Sequence, residues 1–135
     1  MTNTVTTPLR KHQVITEQAP LPVGPYSQAI RVENLLFLSG QVPIDPATGK
    51  LLEGDIATQT KQVLQNLNAV LEETGASLAN VVKTTVFLTN FDHFAAMNKI
   101  YAEFFTAAPP ARSTVEVSRL PLGALVEIEA IAIME

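Results

Sequence analysis

The sequence predicts an α+β layer, a mixed sheet of about six strands with two helices packed on one of its faces. Three observations carry this. Residues 55–74 and 90–107 repeat apolar side chains at helical spacing. The segments around them are short, rich in valine, isoleucine and threonine, and bounded by proline, glycine and asparagine. The order is strand, strand, helix, strand, helix, strand, strand after one further short strand, which suits two helices stacked on a single sheet.

Residues 12–16 read as the short first strand. In the stretch Pro20-Leu21-Pro22-Val23-Gly24-Pro25-Tyr26-Ser27-Gln28, three prolines and a glycine forbid helix and make a stiff loop that presents Tyr26 and Gln28. Residues 29–32 and 35–39 read as a strand pair about Glu33-Asn34. The second is apolar on both faces and so belongs inside the sheet. It ends in Ser39-Gly40-Gln41, a hydroxyl beside bare backbone. Residues 45–50 are a turn. Ile56, Val63, Leu64, Leu67, Val70 and Leu71 form the apolar face of the first helix, with Asp55 as its N-cap and Gly75 as its stop. Residues 81–89 are a strand. Asn90 caps the second helix, whose apolar face is Phe94, Met97, Tyr101, Phe104 and Phe105, with Ile100 beside them. Pro109 and Pro110 end that helix sharply. Residues 112–119 and 126–134 close the chain as strands joined by a tight turn at Pro121-Leu122-Gly123.

On the last strand Val126, Ile128, Ala130 and Ala132 share one side, and Leu125, Glu127, Glu129, Ile131 and Ile133 share the other. Both sides are apolar, yet two helices cover only one. Sheets of neighbouring subunits are expected to cover the second. The composition agrees: 47% of the 135 residues are hydrophobic and 16% charged, little charge with which to coat a monomer.

The net charge of −4, the absence of tryptophan and the lack of a basic stripe argue against a nucleic-acid partner. With no cysteine there is no disulfide, thiol catalysis or thiolate metal site. No histidine and carboxylate cluster has metal spacing. Residues 1–11 are threonine-rich and lack the apolar core of a secretory signal. They read as a flexible extension, with an organelle-targeting tail as the alternative, ahead of a single domain at 12–135. No apolar run approaches the ~20 residues that cross a bilayer, and the chain reads as cytoplasmic with no membrane partner.

Two residues stand out for chemistry. Arg112 sits where the second helix has stopped and a strand begins, on rigid backbone, and its planar fork suits a carboxylate. Glu127 has apolar neighbours on its own face, which makes it a candidate proton carrier. With the last two strands antiparallel about their turn, these residues are offset by roughly six positions, ~20 Å. One subunit would not place both on a small molecule; two would. Asn98 lies on the apolar face of its helix, where an amide either tethers a loop or meets a ligand. Tyr26 and Ser39 are neutral hydroxyls that alone are ordinary structural residues.

At these residues the sequence resembles the RidA (YjgF-like) family of enamine/imine deaminases, from about residue 12 to the end. The carrying motifs are Gly24-Pro25-Tyr26-Ser27-Gln28-Ala29, Ser39-Gly40-Gln41-Val42-Pro43, Val82-Lys83-Thr84-Thr85-Val86-Phe87, the stretch 98–105, Pro110-Ala111-Arg112-Ser113, and Val126-Glu127-Ile128-Glu129-Ala130-Ile131-Ala132. The resemblance implies a chorismate-mutase-like fold, a homotrimer with a central β-barrel, and clefts between subunits. It also implies hydrolysis of 2-iminopropanoate and 2-iminobutanoate to 2-keto acids and ammonia, without cofactor or metal. Carried over by position, Arg112 would grip the substrate carboxylate and Glu127 would position or activate water. Tyr26, Ser39, Gly40, Asn98 and Thr114 would line the cleft. Many relatives carry cysteine where this chain has Thr114, so that position serves equally well only if it works through its backbone.

Two other readings compete. A non-catalytic trimeric regulator that binds 2-keto acids would need Arg112 but gains nothing from Glu127. Ribonuclease activity conflicts with the acidic charge balance.

Overall fold

A computed structural model describes residues 10–135. Strands β1 (Lys11–Val14), β2 (Ala29–Val32) and β3 (Leu35–Gln41) are followed by a small hairpin, β4 (Ile44–Asp45) and β5 (Lys50–Leu51). Then come helix α1 (Ile56–Glu73), β6 (Val81–Leu88), helix α2 (Phe94–Phe104), β7 (Ala111–Glu116) and β8 (Val126–Ile133). The main sheet has six strands in the order β1-β2-β3-β8-β6-β7, and β4 and β5 pair apart from it. This is the expected mixed sheet with two helices. β1 begins at Lys11, one residue before the strand expected at 12–16. The expected extension at 1–11 lies almost wholly outside the described residues.

Local chemistry explains the helix boundaries. The Thr58 N–H donates to Asp55 Oδ1 at 2.8 Å, the expected N-cap. Past the other end of α1, Gly75 takes φ +85°, a turn that a side chain would strain. The second helix differs from expectation. Asn90 caps a 3-10 turn at Phe91–His93, and α2 itself runs only to Phe104.

Val63, Leu64, Leu67 and Leu71 of α1 are fully buried against the sheet. Each such side chain stabilises the fold by about 1.5–3 kcal/mol. The sheet answers with Leu36, Leu38, Val86, Leu88, Val126, Ile128, Ala130 and Ala132, all buried. Polar groups of α1 hold the connections: Gln59 Oε1 accepts from the Leu125 N–H at 2.8 Å, and Asn66 Nδ2 donates to Ile44 O at 2.9 Å.

Among the described residues nothing covers the opposite face of the sheet. Leu35, Phe37, Val115 and Ile133 are each 36–44% exposed, and Glu127 and Glu129 stand among them. No described helix is long and apolar enough to cross a membrane.

One expectation fails. The last two strands are not neighbours. β7 pairs parallel with β6 at the edge, and β6 pairs antiparallel with β8. Parallel strands need a crossover, and α2 supplies it between β6 and β7. The chain then leaves β7 through Pro121–Gly123, where Leu122 and Gly123 both have positive φ, and enters β8 on the far side of β6.

Candidate active site

The new topology replaces the expected ~20 Å offset with a different separation. Arg112 is in register with Thr84 of β6, which is in register with Ala130 of β8. Thr84 and Ala130 are both buried under the helices, so Arg112 lies on the helix-covered side. Glu127 alternates with the fully buried Val126 and Ile128 and therefore lies on the open side. The chain presents the two residues on opposite faces of its sheet.

The seven expected site residues fall into two groups. The first surrounds Arg112. Asn98, Tyr101, Ala102, Phe105, Pro109, Pro110 and Arg112 line a groove of about 330 Å³ between α2 and the start of β7. The Arg112 guanidinium lies over the Tyr101 ring at 4.8 Å and the Phe94 ring at 5.5 Å from their centroids. Among the described residues the ion pair is Arg10–Glu33 at 3.5 Å, and Arg112 has no carboxylate partner. Asn98 Oδ1 is buried without a hydrogen-bond partner. A buried amide oxygen without a partner is uncommon, and it stands at the edge of the groove. Thr114 is half-buried on the same side, in register with Val86.

The second group gathers at the C-terminal end of β3. The Glu127 side chain packs against the bare backbone of Gly40, where an added Cβ would stand 2.9 Å from Glu127 Cδ and 3.1 Å from Cγ. Here β3 and β8 slip register between Leu38 and Gln41, a bulge that opens the strand. Ser39 Oγ donates to Ser27 O at 2.6 Å, which ties Gly40's neighbour to the loop carrying Tyr26. That loop is pinned by Gln28: its Nε2 donates to Thr16 O and Pro20 O, each at 2.9 Å, and its Oε1 accepts from the Thr16 N–H at 2.7 Å. Tyr26 itself is half-exposed. Burial raises the Glu127 pKa, and the like charge of Glu129 raises it further.

An anion fits the first group. The second supplies a carboxylate of raised basicity beside open backbone. Among the described residues no cluster of three His, Cys, Asp or Glu could hold a metal ion. Sequence reasoning missed Phe94 and Tyr101 beneath the guanidinium. Their spacing from Asn98 was legible, but aromatic residues at helical spacing read as core.

The family model described as Endoribonuclease L-PSP matches residues 16–134. A RutC family protein of Pyrococcus abyssi is 55% identical over 127 residues, covering 94% of this chain and all of the relative. A chloroplastic Reactive Intermediate Deaminase A of Arabidopsis thaliana is 48% identical over 124 residues, covering 92% of this chain and 66% of the relative. Among solved structures, RidA from an Antarctic Psychrobacter species superposes with a TM-score of 0.88 at 41% identity, covering 91% of this chain and 99% of that one. The YjgF gene product of E. coli gives 0.88 at 43% identity, covering 92% and 99%. The chain belongs to the RidA/YjgF family, whose fold its six-stranded sheet and two helices reproduce.

Proposed function

We propose that the protein hydrolyses 2-imino acids, 2-iminopropanoate and 2-iminobutanoate, to 2-keto acids and ammonia, in clefts between the subunits of a homotrimer. Such an activity would protect pyridoxal-phosphate enzymes from 2-aminoacrylate. One observation carries the reading. A cation with free donors and a glutamate of raised pKa stand on opposite faces of one sheet, beside an uncovered apolar surface. A second copy seated on that surface would bring the Glu127 of one protomer toward the Arg112 of another. The relative named as a deaminase supports the reaction class.

In this scheme Arg112 takes the substrate carboxylate with two N–H donors, which aligns the C=N bond. Glu127 accepts a proton from water as its oxygen bonds to the imine carbon. The C=N pair of electrons moves to nitrogen, which gains a proton. The resulting carbinolamine receives a second proton on nitrogen and expels ammonia as its hydroxyl becomes the keto oxygen. Asn98 Oδ1 offers an acceptor beside the arginine, while Tyr26, Ser39 and Gly40 flank the carboxylate. Thr114 contributes backbone at a sheet edge, a role that requires no thiol. The scheme needs no cofactor or metal.

The test is a coupled reaction with a threonine dehydratase, threonine and semicarbazide, which captures the imine before it hydrolyses. Wild type should slow semicarbazone formation. Arg112→Ala should lose about 10²–10³-fold of that effect, the worth of two charge-assisted hydrogen bonds. No effect of wild type would contradict the proposal and leave 2-keto-acid binding as the function of the groove.

A further inference from the structure

An arginine side chain carries about 2 kcal/mol of rotamer freedom, so a site that relies on one needs something to hold it before the ligand arrives. A neighbouring carboxylate is the usual device. It would also occupy two of the donors and cancel the charge that attracts the substrate. The described structure gives Arg112 no carboxylate partner. Its guanidinium carbon lies instead over the Tyr101 ring at 4.8 Å and the Phe94 ring at 5.5 Å from their centroids. Ring faces attract a cation without consuming any of its edge donors.

We propose that Tyr101 is a positioning residue for Arg112, and that this aromatic shelf pre-orients the guanidinium while leaving its charge and donors to the substrate. The inference rests on the reading of Arg112 as the carboxylate-binding group. Burial and two contacts immobilise the shelf. Tyr101 is 6% exposed and its hydroxyl shares a 2.7 Å hydrogen bond with Thr84 Oγ1, itself buried. Its ring packs on Phe105 with centroids 4.6 Å apart. Thr84 is also the β6 register partner of Arg112. One residue thus anchors both the backbone of the arginine and the ring beneath its head. Burial raises the Tyr101 pKa, against the opposing pull of Thr84 and Arg112. The phenol therefore stays neutral and adds no anion that would quench the cation.

The experiment compares Tyr101→Phe, Tyr101→Leu and Phe94→Leu with wild type. It measures the Kd of 2-oxobutanoate by calorimetry, KM and kcat for the imine, and the melting temperature. Tyr101→Leu should weaken 2-oxobutanoate roughly tenfold and raise KM by a similar factor, with kcat changed far less. Tyr101→Phe keeps the ring and should stay within about threefold of wild type, with Phe94→Leu between the two. A folded Tyr101→Leu with unchanged Kd overturns the proposal, as does a Tyr101→Phe equally impaired. Should Tyr101→Leu fail to fold, Phe94→Leu and the Nε–H resonance of Arg112 decide. That resonance, assigned by its loss in Arg112→Lys, should be shifted by the ring current in wild type, and an unshifted position overturns the shelf. Wild type that binds 2-oxobutanoate without hydrolysing imine refutes the activity alone, and the Kd series still judges the shelf. Wild type that neither binds nor hydrolyses refutes both.

Discussion

Replacing Gly40 by alanine separates the chemistry from the fold. Gly40 lies in β3 without a positive φ, so its backbone accepts alanine. Removing a glycine from the unfolded chain contributes about 0.4–1 kcal/mol to stability. Against that, the new Cβ would stand 2.9 Å from Glu127 Cδ and closer still to Oε2, so the carboxyl must move. That group is the far end of a flexible side chain, and an off-rotamer shift costs about 0.5–1.5 kcal/mol. The two terms nearly cancel. At about 3–5 °C for each kcal/mol in a domain of this size, the melting temperature should change by less than about 5 °C. Catalysis should not escape so lightly. A carboxylate displaced by about 1 Å from its water costs on the order of 10²-fold in turnover. Calorimetric melting and the imine-trapping assay on one preparation read both quantities. Unchanged turnover in a well-folded Gly40→Ala protein would refute the placement of Glu127 at the reacting water. A collapse in stability would show instead that Gly40 is required by the backbone.

Four further outcomes follow from the same geometry. Because the Glu127 pKa is raised, kcat/KM should fall on the acid side through a limb above the ordinary glutamate range, and Glu127→Gln should lack that limb and most of the rate. The stability sign is opposite to the usual carboxylate case. A raised folded pKa gives stability that is full below the unfolded pKa and lost as pH rises through the folded one. Glu127→Gln should therefore melt higher than wild type at neutral pH, with the gain shrinking on acidification. Gln28→Ala removes the amide that satisfies the Thr16 N–H and the carbonyls of Thr16 and Pro20. It should cost about 2–4 kcal/mol in denaturant unfolding and loosen the loop that carries Tyr26. Phe37→Glu puts a charge in the centre of the exposed apolar face. Light scattering should then show smaller particles than wild type, and unchanged mass would rule out that face as the subunit contact.

The layer of two helices on a sheet was legible because its signals are local. Helical spacing on α1, the Asp55 cap and the valine-rich β6 each declare themselves within a few residues. The pairing of the last two strands was not. Consecutive strands are neighbours in most folds, and nothing in Pro121-Leu122-Gly123 says that the chain passes β6 before entering β8. The same limit shaped the view of the site. Arg112 after two prolines and Glu127 among apolar neighbours are visible from sequence, but their placement on opposite faces depends on the crossover through α2. Asn98 carried two readings, and the buried Oδ1 without a hydrogen-bond partner among the described residues is compatible with either. Tyr101 reads as core, and it is core. Its contact with the guanidinium becomes visible only when β7 lies beside β6.

The division of the site between two protomers is tested most directly by mixing two inactive chains. Arg112→Ala and Glu127→Gln, each dead alone, would be co-expressed with separable tags and the mixed oligomers purified. In a cyclic trimer with one residue of each pair from either side of the contact, every mixed ring holds one intact cleft in about three. The imine-trapping rate should recover to about that share of wild type. If instead both residues act within one protomer, no mixed oligomer contains an intact site, and the rate should stay at the level of the separate variants.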